Sequence, residues 1–87
     1  MTIKAIEDYV KERDEALASF DVAVLEKFVI ENVQYIGKDV VNMFIKADAV
    51  VKMAALCKMI CNAEAFYNTE TREKAVKWLK KHHMSTW

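Results

Sequence analysis

The sequence predicts an all-α fold, a compact bundle of four or five helices, from three observations. The 87-residue chain contains one glycine and no proline, whereas the tight turns of sheets and the phosphate loops of nucleotide-binding folds depend on glycine. Hydrophobic residues make up 54% of the chain, which is enough for a core and argues against intrinsic disorder. Apolar residues also recur at three- and four-residue spacings, the period of a helix face. A chain of this length forms one domain, so residues 1–87 are predicted to be a single helical domain.

The most apolar stretch of the chain, residues 47–61, is predicted to form a central helix. Only Asp48, Lys52 and Lys58 interrupt it, so apolar residues lie nearly all round the helix. A helix of this kind is usually buried on most sides. We therefore expect the other helices to wrap around a central helix at about residues 48–62. That helix is shorter than the roughly 20 apolar residues that span a bilayer.

A first helix is predicted from about Ile3 to Ala18, with Thr2 as its N-terminal cap. Its apolar stripe also contains Arg13, for which two interpretations stay open. In the first, the hydrocarbon stem packs on the core while the guanidinium contacts an exposed carboxylate. In the second, the guanidinium binds an anion or a carboxylate of a partner. The apolar members of the stripe are Ile3, Ile6, Val10, Leu17 and Phe20.

A second helix is predicted to start after a cap at Ser19 or Asp21 and to run to about Ile36. Gly37, the single glycine, suits the left-handed residue that ends a helix, so the second helix is expected to stop there. The predicted buried face of this helix consists of Val22, Leu25, Phe28, Val29, Val33 and Ile36.

The remaining helix boundaries follow from polar residues that can cap a helix. A third helix is predicted to begin with Asp39 as its cap. Residues 46–48 are predicted to break the chain before the central helix, and a continuous helix of about 24 residues is the alternative. The last helix is predicted to begin with Thr69 or Thr71 as its cap. Its predicted buried stripe consists of Ala75, Val76 and Leu79.

The formal net charge is zero, but the two signs are segregated along the chain. Residues 1–31 contain eight acidic and four basic side chains, whereas residues 32–87 contain five acidic and nine basic side chains. We expect the first and last helices to pack side by side, because that would neutralise both halves within one molecule. Head-to-tail association of two copies, or an encounter with a charged partner, is the alternative.

The two cysteines, Cys57 and Cys61, lie one helical turn apart in the central helix. Disulfide-bonded small domains place cysteines in loops, far apart in the sequence, and the adjacent His82 and His83 do not have the spacing of paired zinc ligands. We therefore predict that the cysteines act as small buried hydrophobic residues, and we expect no metal and no cofactor. The N-terminus lacks the pattern of a signal peptide, so the expected compartment is the cytoplasm.

The sequence contains no set of residues typical of catalysis. Its only serines are Ser19, a candidate cap, and Ser85, close to the C-terminus. The carboxylates of the first helix lie on its predicted solvent face, where nothing would shift their pKa values toward acid–base work. We therefore expect no enzymatic activity and no small-molecule substrate.

Protein–protein interaction, including self-association, is the function class that the sequence favours, with no membrane partner. Aromatic residues near loops and chain ends often anchor interfaces, and methionines outside a core form adaptable contact surfaces. For Phe66 and Tyr67, the alternative interpretation is that they cover the core. The candidate partner-binding residues are Arg13, Phe66, Tyr67, Trp78 and Trp87.

A nucleic-acid-binding regulator is the alternative function. The last helix is basic and contains an aromatic residue, Trp78, which is a pattern found on nucleic-acid surfaces. Against this function, the whole chain is neutral, and lysine outnumbers the side chains that prefer base edges. The residues that would contact nucleic acid are Arg72, Lys74, Lys77, Lys80 and Lys81.

The last third of the chain resembles small helical proteins of bacterial prophages and other mobile elements. The resemblance rests on residues 58–62, 71–75 and 77–82, which read KMICN, TREKA and KWLKKH. That group has no assigned activity, so the resemblance implies no site residues. It implies an accessory protein that binds and modulates another protein.

Overall fold

The computed structural model describes residues 5–63, 66 and 68–84, and this part of the chain is all-α, as predicted. Its helices are more numerous than the predicted four or five, because one of the predicted helices is divided in two. They are α1 (Ile6–Ala18), α2 (Val22–Glu31), α3 (Val33–Ile36), α4 (Lys38–Lys46), α5 (Ala49–Asn62) and α6 (Thr69–Lys81).

The turn between α1 and α2 follows the predicted capping chemistry. The Asp21 side chain accepts a hydrogen bond of 2.8 Å from the backbone N–H of Ala23, which satisfies one of the unpaired amides of the first turn. The start of α1 differs from the prediction, because the helix begins at Ile6 and Thr2 lies outside the described residues. Ile6 was also expected on a buried stripe, but its side chain is 71% exposed, and α1 packs on its neighbours through Tyr9, Ala16 and Leu17 instead.

The predicted second helix is interrupted at Asn32, which the sequence did not indicate. The backbone of Asn32 leaves the helical region (φ −117°, ψ 31°). Its side chain is 3% exposed and donates a hydrogen bond of 2.8 Å to the carbonyl oxygen of Phe28. An asparagine amide can compete with the backbone for hydrogen bonds in this way, and the axis changes direction between α2 and α3. Gly37 then ends α3 with φ +99°, so the predicted positive φ is confirmed.

The break before the central helix is confirmed. Ala47 adopts an extended backbone, and the Asp48 side chain caps α5 by accepting a hydrogen bond of 2.9 Å from the N–H of Val51. Two predicted caps were wrong. Gly37, rather than Asp39, precedes α4, so Asp39 lies in the first turn of that helix.

The second wrong cap is that of α6. Asn68, rather than Thr69 or Thr71, caps this helix, and its side-chain oxygen accepts the N–H of Thr71 at 3.1 Å. Thr71 is instead buried with Ala75 and Leu79, because the three residues recur every four positions on the face of α6 that packs on α5. Val76, which was predicted to be buried, is half-buried.

The core lies along the C-terminal half of α5. This half packs on α6, and α5 also contacts α1 and α2. The largest fully buried side chains of the described residues are Leu17, Leu25, Leu56, Ile60 and Leu79. The N-terminal half of α5 is different, because Val50 and Val51 are exposed. The other described helices therefore leave the first turn of the central helix uncovered, which differs from the expected wrapping.

The acidic first helix and the basic last helix do not form an extensive contact with each other in the described residues. Helix α1 packs on α2 and α5, whereas α6 packs on α5. The expected side-by-side packing of the first and last helices is therefore wrong. The buried stripe of α6 faces α5, so its basic residues face solvent. Among the described residues, no helix is long and apolar enough to cross a membrane.

Candidate partner-binding surface

The most unusual surface of the described residues is an exposed apolar groove between α4 and α5. Met43 is 72% exposed, Val40 is 54% exposed, and Val51 is 52% exposed. The groove has a volume of about 250 Å³ and its lining is apolar. We call it the α4–α5 groove, and it is lined by Val40, Met43, Phe44, Ala47, Val51 and Ala55.

The groove is open because of the way α4 packs. Helix α4 packs on α2 and α3, and Val41 is the residue that it buries. Val40 and Met43 lie on a neighbouring stripe that no described element covers, and the half-buried Ala47 continues this stripe. The chain then turns at Ala47, so α5 leaves in a new direction and the two helices form the walls of the groove.

Lys52 connects both helices of the groove to α2. The Lys52 Nζ atom lies 5.8 Å from the centre of the Phe44 ring, a cation–π distance. The same atom lies 3.5 Å from a carboxylate oxygen of Glu26 on α2. These contacts link α2, α4 and α5 through the half-buried Phe44 ring and the Lys52 side chain.

The lining of the groove determines what it can do. It contains no titratable side chain, so it lacks the groups that acid–base or nucleophilic catalysis requires. Its volume is below the roughly 300 to 1,000 Å³ of most small-molecule pockets. Contiguous exposed apolar side chains typically mark an interaction surface. The arrangement is therefore suited to burying apolar side chains of another protein segment.

Arg13, the charged residue on the apolar stripe of α1, contacts a carboxylate of its own helix. Its Nε and Nη2 atoms lie 3.1 and 2.9 Å from Oδ1 of Asp14. The Arg13 side chain is 18% exposed, and it lines a shallow depression with Leu17 and Met59. This geometry agrees with the first interpretation, in which the stem packs and the head binds a neighbouring carboxylate.

The predicted aromatic anchors lie in different places. Phe66 is buried in the core, so it is not a surface anchor in this fold; the interpretation that it covers the core is the correct one. Trp78 is half-buried and stacks on the His82 ring, with ring centres 3.9 Å apart. Tyr67 and Trp87 lie outside the described residues. Because Phe66 is buried, the described aromatic anchors, Phe66 and Trp78, do not form one exposed surface.

The five basic residues of the alternative function are all exposed on α6. Two of them have partners within the chain. Arg72 donates a hydrogen bond of 3.0 Å to the carbonyl oxygen of Phe66, and Lys74 lies 3.7 Å from a carboxylate oxygen of Glu70. Lys77 and Lys80 border a shallow depression beside the half-buried Val76, and Lys81 lies in the last turn.

The two cysteines have thiols with raised pKa values. Burial, followed by the proximity of Cys61, raises the pKa of Cys57 to about 11. Burial also raises the pKa of Cys61, although the Arg72 guanidinium acts in the opposite direction. Since the thiolate is the nucleophile and the metal ligand, both residues are mainly unreactive thiols near neutral pH.

The sequence analysis did not identify Val40 and Val51 as surface residues. It covered Met43 only through the general expectation that methionines outside a core form adaptable contacts. A signal was present in the sequence. The third and central helices together contain more apolar faces than the few helices of so short a chain can cover. The pattern does not say which of these faces stays uncovered.

No protein-family model, curated protein or solved structure matches the chain.

Proposed function

We propose that this chain is a non-catalytic binding protein that acts through protein–protein contacts made by the α4–α5 groove. The observation that carries the proposal is the exposure of Val40, Met43 and Val51 around one continuous apolar depression. Burying apolar surface stabilises a complex by about 25 cal/mol per Å² before the costs of association are subtracted. A soluble domain that leaves such a surface uncovered has this free energy available for binding.

The shape of the groove favours a helix as the bound segment. Its two walls are helices, and its lining residues recur every three or four positions along each wall. An amphipathic helix presents its anchors with the same spacing. Met43 is flexible and polarisable, so it can adapt to the side chains it meets. The resemblance to prophage and mobile-element proteins supports the same function, an accessory protein that modulates another protein by contact.

A photo-crosslinking comparison tests this function with two positions of matched exposure. A benzoylphenylalanine is placed at Met43, on the groove, or at Ile6, on α1; these side chains are 72% and 71% exposed. We expect illumination of bacterial cells to give a distinct protein adduct from position 43 and none from position 6. The adduct mass identifies the bound protein, which is then purified and titrated with the chain.

The titration compares two variants that gain the same charge, one inside the groove and one outside it. We expect Met43→Glu to weaken binding of the purified partner at least about 10-fold, equivalent to about 1.4 kcal/mol, because it places a charge in an apolar contact. Ile6→Glu adds the same charge outside the groove and is expected to leave affinity unchanged. Equal affinities for the two variants, or equal adducts from the two positions, would contradict the proposal.

A nucleic-acid-binding regulator is the second candidate, because Lys77, Lys80 and Lys81 are all exposed on one helix. This function predicts binding of a short DNA or RNA duplex at low salt, with an affinity that falls steeply as salt rises. Replacing the three lysines by glutamate would then abolish binding, whereas Met43→Glu would leave it unchanged. A wild-type chain that shows no fluorescence-anisotropy change at low salt would exclude this candidate.

A further inference from the structure

We infer that a second copy of this chain occupies the α4–α5 groove, with the two α4 helices antiparallel across a two-fold axis. The inference rests on the proposed function, because it names the partner of the same groove. It is carried by the order of apolar and charged residues on the exposed side of α4.

The apolar seam of α4 has the spacing of paired helices. Val40 and Met43 are three residues apart, and Ala47, directly after the helix, follows four residues later. This is the a and d spacing of helices that pack against each other in pairs. All three residues line the groove, and the helix is about 14 Å long at 1.5 Å per residue. The seam is therefore a short surface that can pack against the same seam of a second copy.

The charges beside the seam select the antiparallel orientation. Asp39 and Lys46 are seven residues apart, so they lie on the same side of α4, next to Met43 and at opposite ends of the helix. Both side chains are exposed. A two-fold axis perpendicular to α4 places Asp39 of one copy opposite Lys46 of the other, and the symmetry repeats this ion pair. If the two α4 helices were parallel, Asp39 of one copy would not lie beside Lys46 of the other.

Other properties of the chain favour a second copy as the bound partner. The formal net charge is zero, so no long-range repulsion opposes the approach of two copies. The apolar seam of α4 is short, and a small interface of this kind is typical of a weak complex. We expect a reversible dimer whose population rises over about 5 to 500 μM, the range of weak protein affinities.

Charge exchange at Asp39 and Lys46 tests the inference by sedimentation equilibrium. Asp39→Lys alone places lysines opposite each other, and Lys46→Asp alone places aspartates opposite each other. We expect each single variant to dimerise at least about 10-fold more weakly than the wild type. An equimolar mixture of the two is expected to form a heterodimer, because each lysine then faces an aspartate. The apolar groove is unchanged in both variants.

The outcomes separate this inference from the proposed function. A wild-type chain that stays monomeric throughout the concentration range would overturn the inference, as would single variants that dimerise like the wild type or a mixture that stays monomeric. Circular dichroism melting of each variant shows whether it is folded, and the doubly exchanged Asp39→Lys/Lys46→Asp chain provides a second folded, self-complementary protein. The proposed function fails on a different result, the absence of any adduct specific to position 43.

Discussion

Replacing Leu56 by alanine is expected to lower the free energy of unfolding by about 3 kcal/mol, within the range of about 2 to 5 kcal/mol for buried leucines. Leu56 is fully buried on α5, the helix that packs on α1, α2 and α6. Truncation removes buried apolar surface and leaves a cavity that the surrounding helices cannot fill completely. Urea denaturation followed by circular dichroism measures the change, provided that the slope of the transition stays the same.

A matched control separates core packing from a general effect on α5. Val51→Ala removes apolar atoms from the same helix at a side chain that is half exposed, and we expect it to change stability by less than about 0.5 kcal/mol. If the two alanine variants proved equally stable, the assignment of the core to the C-terminal half of α5 would be wrong.

Replacing Phe28 by alanine is expected to lower the free energy of unfolding by about 3 to 5 kcal/mol. Phe28 is buried on α2, and its ring centre lies 5.4 Å from that of Tyr9 on α1, which in turn stacks on Tyr35 of α3 at 4.7 Å. The alanine variant loses both the buried surface and the ring contact, which adds about 0.5 to 1.5 kcal/mol in aromatic pairs. Thermal and urea unfolding measure this loss.

Phe28→Leu is the conservative comparison, since it keeps most of the buried volume and removes the aromatic contact. We expect it to be less destabilising than Phe28→Ala. A leucine variant as unstable as the alanine variant would show that the ring contact with Tyr9 dominates the stability of this region. An alanine variant that unfolds like the wild type would contradict the packing of α1 on α2.

The exposed residues of the groove, unlike the half-buried Phe44, lie apart from the core residues of α4 and α5. Met43 and Val40 face the groove, whereas Val41 is buried, and Leu56 and Ile60 are buried on the far half of α5. Substitutions in the groove therefore change an interface with little effect on the core. This separation allows binding to be tested by substitution without unfolding the chain.

The sequence by itself determined the fold class and several helix ends. The single glycine and the lack of proline predicted helices, and the described residues are all-α. Gly37 ends α3 at a positive φ that other residues rarely adopt. Asp21 and Asp48 cap α2 and α5 with their own side chains. These features could be predicted because a cap or a helix end involves hydrogen bonds between residues only two to four positions apart.

Only the tertiary structure decided which apolar faces are covered. The cap of α6 differs from the prediction because Asn68, Thr69 and Thr71 are all able to cap a helix, and packing buries Thr71. The break at Asn32 likewise accompanies the burial of that side chain, which a local pattern does not show. Phe66 is buried, whereas Met43 is exposed, although both are large apolar residues near a turn. Helical periodicity identifies an apolar face but not the element that covers it. The candidate groove exists because no element in the described part of the chain covers Val40 and Met43 of α4, so the sequence pattern alone could not locate it.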